Sequence, residues 1–157
     1  MKDHISISPV ISIHYPSPDF KICVIEDKQV IWDHIRKRYV KLTPEEWVRQ
    51  NFLQYLIQYA RYPASLMAVE KEIKLGELKK RCDIVIYKNS RPWMIIECKE
   101  PGTSINEETL QQILGYNMTL QVSYLVLTNG DYTYIMKCGP DGGQLITSFP
   151  GYREKNN

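Results

Sequence analysis

The stretch RCDIVIYKNSRPWMIIECKE, residues 81–100, constrains the fold more than any other part of the chain. Two apolar runs, Cys82–Tyr87 and Trp93–Cys98, flank a short polar link, Asn89-Ser90-Arg91. Short apolar runs bounded by turn residues read as two strands of a hairpin. Both alternating faces are apolar: Ile84, Ile86, Met94 and Ile96 on one, Val85, Trp93 and Ile95 on the other. Strands apolar on both faces are covered on both sides. The hairpin is thus expected at the centre of a sheet flanked by helices, and charges at its end need a reason.

Those charges are Asp83, Glu97 and Lys99. With a three-residue loop centred on Ser90, Lys88 faces Pro92, Ile86 faces Met94 and Asp83 faces Glu97. Directly opposed residues project to the same side, and opposed like charges repel. Lys99, two residues beyond Glu97, shares its face. A divalent cation resolves the conflict. Two carboxylates suit Mg2+ or Mn2+, which keep water at their remaining positions, and the Cys98 backbone carbonyl is a further candidate ligand. Lys99 then orients water or stabilises charge on a phosphate. Before a metal arrives, its ammonium is expected to be held by Asp83 and Glu97. The plainer alternative is a salt-bridge cluster at a sheet end.

The remaining elements surround this hairpin. Residues 1–19 carry three prolines and suggest an extended arm; 20–42 suggest a strand pair around Glu26-Asp27-Lys28-Gln29. The cluster Arg36, Lys37, Arg38 and Lys41 reads as a solvated face, with phosphate contact as the minor alternative. Residues 43–63 read as a helix: Thr43 caps it, Pro44 fits its first position, Glu46 completes a capping box and Pro63 stops it. Trp47, Phe52, Leu56 and Tyr59 approximate its apolar face. Met67–Leu75 is another strand, about 106–118 a second helix with a Ser104/Glu107 capping box, and 123–130 and 132–137 a strand pair. Residues 138–143 form a turn, and the tail after Phe149 looks loose. The expected core is α/β, a central mixed sheet in the order α-β-β-β-α-β-β. Residues 1–42 pack on a core at 43–150, giving a single domain overall.

The chain has 157 residues, 43% hydrophobic and 24% charged, with a formal charge of only +2. That balance is globular, and it excludes a global basic field for nucleic acid. A local basic run, Lys79, Lys80 and Arg81, lies just before Asp83, where it would suit a phosphate backbone or simply a solvated turn. Cys23, Cys82, Cys98 and Cys138 show no metal-binding spacing and read as free thiols. With no signal-peptide design and no apolar run long enough for a membrane span, a reducing, cytoplasmic location is expected. His4, His14 and His34 precede the core, so no catalytic histidine is assigned.

Asp83, a 13-residue gap and Glu97-Cys98-Lys99 resemble the D…(D/E)-x-K signature of the PD-(D/E)xK nuclease superfamily. Cys82 stands where that signature often has proline. Gln112 and Tyr116, four apart on one helix face, resemble a Q-x-x-x-Y element of RecB-like members. Residues 40–137 most resemble the amino-terminal nuclease domain of type I restriction enzyme R subunits. The resemblance implies a restriction-endonuclease-like core and Mg2+- or Mn2+-dependent DNA cleavage, with Asp83, Glu97, Lys99, Gln112 and Tyr116 as catalytic residues. Glu46 is implied as a further metal ligand, although its capping role is simpler. It also implies partners: DNA, the methylation, specificity or motor subunits of a restriction-modification system, or a second copy in a homodimer. No G-x-x-x-x-G-K-[ST] occurs, so there is no ATP site in this chain. A non-catalytic nucleic-acid-binding or assembly module with the same fold is the competing expectation.

Overall fold

The computed structural model describes residues 11, 13–17, 19–75, 77–112, 121–140 and 142–153. Its centre is the expected hairpin, β5 (Leu78–Lys88) and β6 (Arg91–Cys98). The two strands turn through Asn89 and Ser90, with φ 53° and 62°. A turn with both central residues at positive φ matches the twist of a two-residue hairpin. Lys88 therefore pairs with Arg91, and not with Pro92 as a three-residue loop would require. The register then slips by one between Ile86 and Tyr87. Beyond that bulge Ile86 pairs with Met94 and Ile84 with Ile96, and the ladder ends there, next to Asp83 and Glu97. The expected pairing of Ile86 with Met94 is met through a shorter turn plus a bulge.

Around this hairpin lie β4 (Met67–Leu75), β7 (Tyr124–Thr128), β8 (Thr133–Gly139) and β9 (Gly142–Ile146), in sheet order β4-β5-β6-β7-β8-β9. Only β6 and β7 pair in parallel, so the sheet is mixed. A separate three-stranded antiparallel sheet comprises β1 (Ile22–Ile25), β2 (Lys28–Asp33) and β3 (Arg38–Lys41).

The order differs from expectation in two places. Residues 20–42 form three strands, because a turn at 34–37 returns the chain after Asp33. The stretch after Gly142 is a sixth strand of the main sheet; its glycines suggest only a turn, but β8 offers an edge that they can pair with.

Helix α1 (Pro44–Gln58) begins as read: the Thr43 hydroxyl accepts the Glu46 N–H at 3.0 Å. It ends with Arg61 at φ 59° and the Tyr62 N–H donating to the Leu56 carbonyl, just before Pro63. Its buried face is Val48, Phe52, Leu53 and Leu56, whereas Trp47 and Tyr59 are exposed. The observed face is rotated from the expected one because the helix also buries Glu46, Arg49 and Gln50. Polar residues inside the stripe hide its true phase from a hydrophobicity pattern.

This face packs on Ile84, Ile86, Met94 and Ile96, and a second cluster of Val85, Ile95, Leu125 and Leu127 lies with Leu110 on the other face. Leu110 belongs to α2, helical over 107–112. Asn106 rather than Ser104 caps it, its Oδ1 accepting the Thr109 N–H at 2.9 Å. The rest of that expected helix, with Tyr116, lies outside the described residues. The hairpin is thus covered on both faces, as its composition requires. Ile11 bridges to Thr133 on β8, and Ile13 and Tyr15 pack against the same core, so the amino-terminal arm is docked.

Candidate functional site

The site lies where β4, β5 and β6 reach the amino-terminal end of α1. An unbroken β5 would place Cys82 on the face of Ile84 and Ile86. Instead Cys82 packs with the opposite cluster, so the strand rotates at Asp83. Across the ladder, Glu70 sits at φ 55°, and the pairing of β4 with β5 skips it and Asp83. A non-glycine residue in that region stores strain of about 1–3 kcal/mol, and such outliers gather at functional sites. The opening turns Asp83 toward α1.

Both oxygens of Asp83 are engaged. Oδ2 accepts the Cys98 N–H at 2.8 Å, and Oδ1 accepts Arg49 Nη2 at 2.8 Å. The same Nη2 reaches Glu70 at 3.1 Å and Glu45 at 3.2 Å, while Nη1 reaches Glu46 at 2.8 Å. Burial alone would lower the Arg49 pKa; the hydrogen bond to Asp83 and the charge of Glu46 outweigh it and raise it. Glu46 also takes Arg36 Nη2, so its carboxylate is shared by two arginines instead of reaching back to complete the capping box.

Arg36 is therefore half-buried wiring and not a solvated basic residue. Its Nε donates to Asp33 Oδ2 at 2.7 Å, and Gln50 Nε2 donates to the same oxygen at 2.8 Å. Asp33 Oδ1 caps the turn through the N–H groups of Ile35 and Arg36. Burial opposes ionisation of Asp33, but these bonds and the Arg36 charge prevail and lower its pKa. A chain of contacts, Asp33–Arg36–Glu46–Arg49–Asp83, thus runs from the small sheet into the site.

Glu97 sits beside Asp83 with different company. Lys80 Nζ lies 3.3 Å from Glu97 Oε1, an ion-pair contact and not an aligned hydrogen bond, and that oxygen is otherwise buried without a donor. Burial, then the Asp83 charge, push the Glu97 carboxyl up to about 7. Lys99 is half-buried, and its backbone N–H donates to the Thr128 carbonyl at 2.8 Å. The expected pairing of Lys99 with Asp83 and Glu97 is not formed: Arg49 and Lys80 take those places, and no ion pair among the described residues includes Lys99. Its charge instead bears on Glu45, whose pKa rises through burial first and then Asp83.

Lys79, Lys80 and Arg81 lie inside β5 and not in a turn, because the strand starts at Leu78. Alternation divides them. Lys80 turns in to Glu97, while Lys79 and Arg81 are exposed, the latter paired with Glu70. Gln112 is exposed at the end of the described part of α2. Cys82 and Cys98 are buried free thiols; burial first of all pushes Cys82 up to about 12 and raises Cys98 well above the ordinary thiol value, so neither is a thiolate. Thr128 and Asn129 build the turn before β8, Asn129 Nδ2 also donating to the Thr103 carbonyl at 2.9 Å. Among the described residues, no three or more His, Cys, Asp or Glu side chains are grouped to cage a metal by themselves.

Sequence reading misses Arg49, Glu45 and Glu70. One signal is available: Glu45 and Glu46 stand four and three residues before Arg49, the spacing of helical ion pairs.

A mixed-sheet α/β protein with a half-buried cluster of acids and bases at the end of its central hairpin is the class these observations define. The family follows from comparison with known sequences. The model of Type I restriction enzyme R protein N terminus (HSDR_N) matches residues 44–150, well over half of the 157-residue chain, and the chain belongs to this family. No curated protein matches the chain.

Proposed function

We propose that this protein is a metal-dependent endonuclease that hydrolyses DNA phosphodiesters, as the nuclease domain or a stand-alone relative of a type I restriction enzyme R subunit. Family membership supports a role related to restriction nucleases. The observation that carries the chemistry is the meeting of Asp83 and Glu97, with Glu97 Oε1 buried and lacking an aligned donor. The donor set fits Mg2+ or Mn2+: two carboxylates and the Cys98 carbonyl are hard oxygen ligands, with water completing the shell. Glu46 could join only by giving up Arg36 or Arg49. When bound, the cation would polarise phosphate oxygens and supply hydroxide at neutral pH.

The chain's own residues then do the rest. Lys99 stabilises charge developing on the phosphate. Lys79 and Arg81 contact the nucleic-acid backbone, and Gln112 with Tyr116 positions the strand. The six-stranded sheet with α1 and α2 serves as a restriction-endonuclease-like core, and residues 1–42 fold with 43–150 as one unit. Methylation, specificity or motor subunits are the partners this reading implies. The test is Mg2+- or Mn2+-dependent nicking of a plasmid with Lys99→Ala as control; equal nicking by both proteins would overturn the reading.

A second reading is a non-catalytic nucleic-acid-binding module. It is favoured by one observation: Asp83 and Glu97 already have cationic partners in Arg49 and Lys80. DNA binding without cleavage under any divalent cation would select it.

A further inference from the structure

Arg49 stands at the centre of the acidic cluster. One guanidinium touches Glu45, Glu46, Glu70 and Asp83. Asp83 has committed one oxygen to it and the other to Cys98, so a cation that ligates Asp83 meets a donor already in place, and at Oδ1 that donor is itself a cation. The Cys98 N–H belongs to the neighbouring strand, which leaves Arg49 as the partner able to move. Its Nε is buried and donates no hydrogen bond, so the guanidinium is held at its tip and not locked at its stem. Glu45, with its side chain 46% exposed, and Glu70, at 27%, remain on the solvent side to receive it.

We propose that Arg49 is a tethered counter-ion: it positions Asp83 in the metal-free protein, and when a divalent cation binds it must let go of Asp83 and stay with Glu45, Glu46 and Glu70. This rests on the reading of Asp83 and Glu97 as cation ligands. Arg49 and an incoming cation compete for the same oxygen and repel each other at close range, where the low local dielectric makes the repulsion strong. Arg49 thereby sets the cation affinity of the site without touching substrate.

The test is Mn2+ titration calorimetry on the full chain. Arg49→Met keeps the bulk and removes the charge; it is expected to bind Mn2+ about tenfold more tightly or better. Arg49→Lys keeps the charge and should stay near the parent. A merely structural arginine predicts the reverse, since a disordered Asp83 would bind Mn2+ more weakly. Parental binding with no gain in Arg49→Met overturns the proposal alone. No Mn2+ binding by either protein, or binding unaffected by Glu97→Gln, overturns the cation reading of the site and the proposal with it. Should Arg49→Met fail to fold, nitrogen-15 resonances of the parental Arg49 guanidinium decide: they are expected to shift and lose protection on Mg2+ saturation, and unchanged signals overturn the proposal.

Discussion

Asp83 Oδ2 accepts the backbone N–H of Cys98 at 2.8 Å, bonding a carboxylate on one central strand to the backbone of the next, one residue past Glu97. This bond ties together the two halves of the D…E-x-K pattern. Two carboxylates held side by side in this way cannot have the same electrostatic fate. Asp83 has an arginine and a backbone donor; Glu97 is half-buried beside a negative charge, with Lys80 only partly offsetting it.

Asp83→Asn and Glu97→Gln should therefore both abolish Mn2+ binding while moving stability in opposite directions. The Asp83→Asn change would leave Arg49 short of a partner, and a loss of about 1–3 kcal/mol is expected. Glu97 has its folded pKa raised from 4.5 to about 7, so ionising it disfavours the folded state. Its contribution is intact below pH ~4.5, declines as pH rises toward 7 and is level above; the full difference is up to about 3 kcal/mol. Urea unfolding of the parent and Glu97→Gln across this range should show the variant gaining relative stability as pH rises. A constant difference would show that Glu97 titrates normally.

The role proposed for Lys99 lies in the chemistry and not in the fold. Because no ion pair among the described residues includes it, Lys99→Ala should change stability by only about 0.5 kcal/mol in either direction. It should bind Mn2+ and DNA nearly as the parent does, yet cleave on the order of 100- to 1000-fold more slowly. Lys99→Arg should not rescue fully, because a planar guanidinium replaces a compact charge. Single-turnover plasmid cleavage at saturating Mn2+ reads this out, and parental speed in Lys99→Ala would remove the lysine from the mechanism.

The basic run should divide as its strand does. Replacing the exposed Lys79 and Arg81 with Ala should weaken DNA binding regardless of sequence and lower the salt slope by about 1 for each phosphate left unneutralised. Lys80→Ala should leave that slope nearly unchanged and instead raise the Glu97 pKa further, since it removes the nearby positive charge. Fluorescence-anisotropy binding over a salt series separates the two effects.

Asp33 anchors the opposite end of the charge network. Fully buried, it holds two backbone N–H groups, Arg36 and Gln50. Asp33→Ala would leave two backbone N–H groups, Arg36 Nε and Gln50 Nε2 without their acceptor, although Arg36 keeps Glu46, and a loss of about 3–5 kcal/mol is expected. Urea unfolding with an unchanged slope would assign the loss to the folded state.

The central hairpin is legible in the sequence because both its faces are apolar, a constraint that only burial between two layers satisfies. Its register at Ile84 and Ile96, next to Asp83 and Glu97, agrees with the sequence reading only because two departures cancel: a turn one residue shorter, and a one-residue slip beyond Tyr87. Neither shows in an alternation pattern. The phase of α1 is hidden because Glu46, Arg49 and Gln50 occupy part of its inner stripe, and sequence does not announce which polar residues will find buried partners. For the same reason Lys99 is expected to make the ion pairs that Arg49 and Lys80 in fact make: charge type and spacing predict that carboxylates will be neutralised, but not by which cation. Strand β9 is masked by its glycines, which pair only because β8 presents an edge.

The contact between Arg36 and Glu46 also bears on where a working piece of this protein can be cut. The span shared with the family begins at residue 44, so Glu46 lies inside it and Arg36 outside. A fragment started at that boundary would keep every residue of the D…E-x-K pattern yet remove one of the two arginines that neutralise Glu46, and would uncover the surface that Asp33 and Gln50 share. In a gene fusion or an expression design, the natural seam is therefore ahead of both the small sheet and Ile11, which bridges to β8, and a boundary drawn from sequence similarity alone would divide a single electrostatic unit.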